Sequence, residues 1–167
     1  MPSRGLPRIG SCHVPNCVSL PVRTETNNLW YERGLRFHCT QCGNCCSGAP
    51  GYVWITPADM ANIAAFLGLP LEQFTRRYVR RIGERYSLVE KPDYDCIFLH
   101  RAVGQAMCSI YPVRPTQCRT WPFWKMNLES PAAWNRAAER CPGMADAAAP
   151  LQEVEIIERC RQHPDSP

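Results

Sequence analysis

Lysine is nearly missing from this chain: of its 19 basic residues only Lys91 and Lys125 are lysines, and histidine occurs four times. No basic run is dense enough for a nucleic-acid footprint, and the net charge of +4 is slight, so no nucleic-acid partner is expected. Long apolar runs are absent too. The first 30 residues hold no stretch suited to a signal peptide, and nowhere do apolar residues run long enough to cross a bilayer. The expectation is a cytoplasmic protein without membrane insertion. There is no Gly-x-Ser-x-Gly elbow, no His-Glu-x-x-His helix, no nucleotide-binding glycine loop and no internal repeat. No catalytic residue can be named on such grounds, and whether the chain is an enzyme stays open.

Cysteine is what the chain has in excess, with eleven in 167 residues. Disulfides, metal and reactive thiols are the three ways to use so many. Disulfides are uncommon in a reducing compartment, and an odd count would leave a thiol over, so metal is the better account.

The length suits one domain with a modest core. Sixteen prolines and ten glycines make that domain loop-rich despite 45% hydrophobic residues. The pattern gives an irregular extension over 1–28, one cysteine-cluster domain over 29–163, and a frayed tail over 164–167. The expected fold is a small α+β domain, mainly helical and loop-rich, with a few short strands, organised around cysteine-ligated metal. Leu35, Phe37 and Cys39 alternate on a short extended segment, and Tyr52–Ile55 reads as a second strand. Thr56, Pro57 and Asp59 form a helix start, with a capping hydroxyl, proline at the first position and an acid at the third. Met60, Ile63, Ala64 and Leu67 line its buried face until Gly68 and Pro70. A helix is expected over Leu71–Arg81, with Leu71, Phe74 and Tyr78 inward and Arg76, Arg77, Arg80 and Arg81 outward, Arg85 following. Tyr86–Val89 reads as a strand, and Asp93–Trp124 as loops with a helical turn at Pro115–Arg119. Pro131–Arg140 reads as a helix closed by a Cys141-Pro142-Gly143 turn. A last helix is expected over Leu151–Arg161, with Leu151, Val154 and Ile157 inward and its glutamates outward.

The sharpest local feature is Cys39-x2-Cys42-Gly43-x-Cys45-Cys46. Two-residue spacers curl the backbone so that successive sulfurs can point at one centre, and Gly43 allows a tight turn. Three cysteines at such spacings plus a remote fourth resemble the ligand pattern of a [4Fe–4S] cluster. Four thiolates also suit zinc, and mononuclear iron is a further alternative. Adjacent side chains such as those of Cys45 and Cys46 are expected to diverge, so that Cys46 serves a second centre or supports the first. Cys96, Cys108, Cys118 and Cys141 come singly, as ligands assembled by a tertiary fold would. Each taken alone could be a packed core thiol, and Cys160 on the last helix is expected to be one. Cys12 and Cys17, with His13 nearby, are left unassigned. His38 and His100 could orient or replace a ligand, or simply lie exposed.

These motifs together resemble the YkgJ-like CxxCxxCC cysteine-cluster family, a zinc- or iron-chelating domain. The resemblance begins at Phe37-His38-Cys39 and runs through Cys45-Cys46, Ile55-Thr56-Pro57 and Cys96-Ile97-Phe98-Leu99. It is strongest from Cys108-Ser109-Ile110-Tyr111 through Arg114-Pro115 to Cys118-Arg119, with Trp121 where phenylalanine is usual. It closes at Cys141-Pro142-Gly143. It implies a ligand set of Cys39, Cys42, Cys45, Cys46, Cys96, Cys108, Cys118 and Cys141. It also makes Arg114 and Arg119 cofactor-binding candidates, able to donate hydrogen bonds to cluster sulfurs, offset thiolate charge or hold loop carbonyls. Tyr111, Trp121, Phe123 and Trp124 would screen the site from water. The function expected is binding of iron or an iron–sulfur cluster with a redox role, served by a redox or protein partner. The rivals are a zinc-stabilised interaction module and a metallochaperone.

Overall fold

The computed structural model describes residues 29–102 and 105–163. Cys12, Cys17, His13, the expected extension and the expected tail lie outside them. The domain is a small mixed α+β assembly of short strands and helices built on two apolar clusters.

β1 (Leu35–Arg36) pairs antiparallel with β7 (Leu151–Gln152). Between them in the chain come β2 (Trp54–Ile55), α1 (Pro57–Phe66), α2 (Leu71–Tyr78), β3 (Val79–Ile82) and β4 (Arg85–Leu88). These three strands form an antiparallel sheet in the order β2-β4-β3. A hairpin follows, β5 (Leu99–Ala102) against β6 (Gln105–Cys108), then α3 (Thr116–Thr120), α4 (Lys125–Leu128), α5 (Pro131–Ala138), α6 (Pro142–Ala145) and α7 (Val154–Arg161).

The start of α1 has the anticipated chemistry. The Thr56 hydroxyl accepts from the Asp59 amide at 3.1 Å, and the Asp59 carboxylate accepts from the Thr56 amide at 3.0 Å, a reciprocal capping box. Met60, Ile63 and Ala64 are buried as their spacing predicts. They pack with Ile55, Phe74, Leu88, Phe98 and Ile110 into the first cluster. The second holds Tyr31, Leu35, Phe123, Leu128, Trp134, Met144, Ile157 and Cys160, so the terminal-helix thiol is a core residue.

The structure departs from the sequence expectations in six places. The helix from Leu71 stops at Tyr78, and Val79–Ile82 becomes a strand, so Arg80 and Arg81 leave the expected helical face. Val79 and Ile82 are β-branched, and Gly83, at φ 57, supplies a turn that lets the chain fold back on Arg85–Leu88. Leu71 is 50% exposed at the first helical position, while Phe74 is fully buried. Leu151 belongs to β7 rather than the last helix, which begins at Val154, and it is 53% exposed. Glu158 is buried: it accepts from the Tyr31 hydroxyl at 2.5 Å and from Arg161 and Gln162, so partners replace the water it gives up. Finally, the 93–124 region contains the β5–β6 hairpin, and Pro142 continues into α6 instead of a bare turn.

The depth of these positions yields a paired expectation. Phe74→Ala should cost about 3–5 kcal/mol by opening a core cavity. Leu71→Ala should stay within roughly 0.5 kcal/mol. Urea unfolding followed by circular dichroism measures both.

Candidate metal centre

Gly43 adopts a left-handed conformation, φ 76, and a Cβ there would sit 2.7 Å from the Ala106 methyl on β6. Only glycine combines that turn with that closeness. The chain then enters a 3-10 turn, Asn44–Cys46. Successive residues of such a turn project about 120° apart rather than alternating. Even so the Cys45 and Cys46 sulfurs come within 3.7 Å of each other, closer than the divergence expected of adjacent residues. Two sulfurs bound to one tetrahedral ion at 2.3 Å would be separated by about 3.8 Å.

Three backbone contacts bring the dispersed cysteines to this turn. The Cys96 amide donates to the Cys46 carbonyl at 2.7 Å, and Leu99 donates back to the Cys96 carbonyl, seating the Cys96 loop on the cluster. Cys108 is then placed by its register with Leu99 across the β5–β6 hairpin. On the other side, the His38 amide donates to the Gly143 carbonyl at 3.2 Å, holding Cys39 beside the Cys141 segment. Gly143 has no alternative there, since a Cβ would fall 1.8 Å from the His38 carbonyl oxygen. Asn44 reaches across to the Arg140 carbonyl at 2.8 Å.

The outcome is one cavity of about 60 Å³, room for several water-sized groups, walled by Cys39, Cys42, Cys45, Cys46, Cys96, Cys108, Cys118 and Cys141. All eight cysteines named from sequence line this space. Leu88, Leu99, Ile110 and Trp121 supply apolar wall, and Arg114 is the one Lys, Arg, Asp or Glu among the described residues that line it. The walls come from both apolar clusters. Cys141 belongs to one, and Cys96 and Cys108 pack against the other.

The two arginines part company. Arg114 faces the thiols with its guanidinium 3.5 Å from the centre of the Tyr111 ring and its Nε donating to the Tyr111 carbonyl. Arg119 does not line the cavity; it donates to the Arg114 carbonyl at 2.6 Å and to the Thr116 hydroxyl, so it holds the loop that carries Arg114. Of the expected aromatic screen, Tyr111 and Trp121 line the space, whereas Phe123 is buried in the neighbouring core and Trp124 donates to the Gln117 carbonyl. His100 is exposed on β5 and His38 lies 3.6 Å from Asp146; neither lines the cavity.

Sequence reading missed the residues that hold the Cys96 loop. Asp95 is buried and paired with Arg101 at 3.0 Å, and the Lys91 ammonium donates to the Leu99 carbonyl. It also missed Gln117, whose amide bridges Tyr52 and Trp54 of the neighbouring segment. No spacing signal marks either set.

The thiols differ in acidity. A hydrogen bond from Cys46 and the positive charge of Arg114 bring Cys45 down to about 7, against the opposing effect of burial. Cys46 moves up, because it is the proton donor of that pair and is itself buried. Burial pushes Cys96 up to about 11, and raises Cys108, Cys118 and Cys141. Cys45 is thus the thiol favoured as a thiolate over Cys46, Cys96, Cys108, Cys118 and Cys141. Soft sulfur donors without carboxylate or imidazole suit zinc, iron–sulfur or cuprous centres over magnesium or calcium. As the side chains stand, no group of three or more His, Cys, Asp or Glu among the described residues is drawn close enough to hold a metal ion.

The Cys39-to-Cys141 frame is matched by a family model over residues 38–142, described as a "Putative zinc- or iron-chelating domain". The chain belongs to the CxxCxxCC family. An uncharacterized protein of Methanocaldococcus jannaschii is 37% identical over 93 residues, covering 56% of this chain and 48% of that protein. The chain thus spans about half the length of that curated relative. No solved structure matches. The family is metal-chelating by description, and the thiol lining agrees with that in donor chemistry. No helix among the described residues is long and apolar enough to cross a membrane.

Two outcomes follow for the metal-free protein. Cys45 should be the thiol alkylated fastest by iodoacetamide, at a rate that climbs as pH rises through about 7 and then levels, because the thiolate is the nucleophile. Cys46→Ala removes the stabilising donor and should move that rise to higher pH, read by peptide mass spectrometry. Gly143→Ala should unseat the Cys39–Cys141 side and lower the melting temperature, whereas Gly68→Ala meets open space and carries only the strain of φ 66.

Proposed function

We propose that this cavity binds iron, as an iron–sulfur cluster or as thiolate-held iron, and that the protein serves redox chemistry with a protein partner in a reducing compartment such as the cytoplasm. The observation that carries the reading is the enclosure of one space by Cys39, Cys42, Cys45, Cys46, Cys96, Cys108, Cys118 and Cys141. Eight thiols exceed the needs of a single tetrahedral ion. They are enough for a cluster or for two centres. Iron held by thiolates would supply one-electron transfer.

The chain's own residues have definable tasks around such a centre. Arg114 offsets part of the negative charge that deprotonated sulfurs bring into an apolar wall. Arg119 acts as a positioning residue, through its bond to the Arg114 carbonyl. Leu88, Leu99, Ile110 and Trp121 limit water at the thiols. Holding metal requires the sulfurs to close on it, and the free energy of binding would then stabilise the junction between the two apolar clusters.

That junction, with the 3.7 Å separation of the Cys45 and Cys46 sulfurs, supports a second reading. In it zinc joins the two clusters as a structural ion and a surface of the domain binds a protein partner. The same sulfur separation suits two ligands on one ion better than two corners of a cluster.

Metal and sulfide analysis of anaerobically purified protein, with its visible spectrum, separates these readings. Iron with comparable acid-labile sulfide and broad visible absorption is the expected result. A colourless, folded protein with stoichiometric zinc and no iron would sink it. Cys46→Ser should reduce bound metal, and loss of one whole equivalent would assign Cys46 to its own centre. Metal retention should fall as pH drops, since protons compete first for the thiols that burial raises, such as Cys96, and near pH 7 for Cys45 as well. Chelator-competition titrations across pH measure that trend.

A further inference from the structure

The outer face of the β2-β4-β3 sheet carries a feature the cavity does not use. Trp54, Ser87 and Arg80 are register partners across the three strands, so their side chains share one face. Ile55 and Leu88 are in the first apolar cluster, on the opposite side, with Val79 packed against it. On the outer face Tyr52 and Trp54 stack, with ring centroids 4.7 Å apart and planes tilted by 16°. Each ring carries an arginine: the Arg85 guanidinium carbon lies 4.1 Å from the Trp54 ring centre, and that of Arg80 lies 5.2 Å from Tyr52.

The two cations are not equivalent. Arg80 is committed, donating to the Gly51 carbonyl at 2.6 Å and pairing with Glu90 at 2.9 Å. Glu90 in turn accepts from the Gly51 amide, so this corner is locked. Arg85 is exposed and, among the described residues, has the Trp54 ring as its side-chain contact, with no hydrogen bond or ion pair. Its planar donors are therefore held in place by stacking yet remain open to an acceptor. A guanidinium so held loses less freedom when it takes a carboxylate in a two-pronged bond. Between residues 76 and 90 there are five arginines against Glu84 and Glu90. Tyr52, 49% exposed, gives the patch an apolar rim.

From this arrangement we infer that the Tyr52–Trp54–Arg85 face is a docking surface for an acidic polypeptide, with Arg85 receiving a carboxylate and Tyr52 an apolar neighbour. Carboxylates fit better than nucleobases, because the two rings have turned their inner faces to each other and Arg85 covers Trp54. Gln117 ties the surface to the thiol cavity. Gln117 accepts from the Trp54 amide at 2.7 Å and donates to the Tyr52 carbonyl at 2.9 Å, and its chain neighbour Cys118 lines the cavity. A docked partner would sit on the segment that shares α3 with that thiol. The inference stands whether the cavity takes iron, zinc or neither.

The test uses the full chain and a short poly-glutamate peptide as probe, followed by two-dimensional NMR at low salt. Shifts should centre on the Trp54 indole, Tyr52 and the Arg85 side chain, and should fade as salt is raised. Arg85→Glu should weaken binding several-fold and Arg85→Lys partly, with folding checked by circular dichroism. Arg136→Glu, an exposed charge on α5, should change little. Shifts spread evenly over all arginines, equal affinity for Arg85→Glu, or tighter binding of an oligothymidylate of the same length would each overturn the inference.

Discussion

A thiol packs well in a core when it is alone, but eight thiols facing one space cannot all be explained as packing. That convergence is the constraint on which the domain turns. The left-handed Gly43, the 3-10 turn after it, the Cys96 amide on the Cys46 carbonyl and the close approach of Gly143 to His38 all hold sulfur-bearing segments in register. Because the cavity takes its walls from both apolar clusters, whatever fills it couples the two. A domain of this size buries a limited core, so a centre at the junction would add stability where the apolar packing is divided.

The electrostatics follow from the same enclosure. Burial favours neutral thiols, and Arg114 is the one Lys, Arg, Asp or Glu that the described cavity lining contains. One thiolate, Cys45, is favoured by the hydrogen bond from Cys46 and by that guanidinium. Burial disfavours deprotonating Cys46, Cys96, Cys108, Cys118 and Cys141 unless a cation compensates them, so binding of a metal there would be coupled to proton release. Arg119, outside the cavity, belongs to this scheme only through the carbonyl it holds.

Around the cavity, hydrogen bonds link elements that look independent in sequence. Gln117 on α3 fastens the Tyr52–Trp54 segment, and Lys91, Asp95 and Arg101 brace the loop that delivers Cys96. Glu158 performs a similar task for the second cluster by accepting from Tyr31 across the chain. Gln117, Asp95 and Glu158 are buried polar groups whose cost is met by a specific partner.

Much of the site and part of the fold could be read from the chain alone. Spacing marks the Cys39–Cys46 cluster, since two-residue spacers are a local property, and the family resemblance adds Cys96, Cys108, Cys118 and Cys141 to complete the eight that line the cavity. The Thr56–Asp59 capping box was legible because a helix start depends on four consecutive residues, and Cys160 was read as core from its helical periodicity. What depended on distant partners was not legible. The helix at 71–81 was overextended because Val79–Ile82 becomes a strand only when Arg85–Leu88 pairs with it. The β5–β6 hairpin was missed for a similar reason: its cysteine and aromatic content matched a loop, and strand pairing is a long-range choice. Glu158 and Gln117 owe their roles to partners 127 and 63 or more residues away in the chain. Sequence by itself determined which sulfurs could act together. Tertiary structure decided that the Cys45 and Cys46 sulfurs lie close together and that Arg114, not Arg119, faces the thiols, because side-chain placement is set by backbone turns and packing that only the folded chain defines.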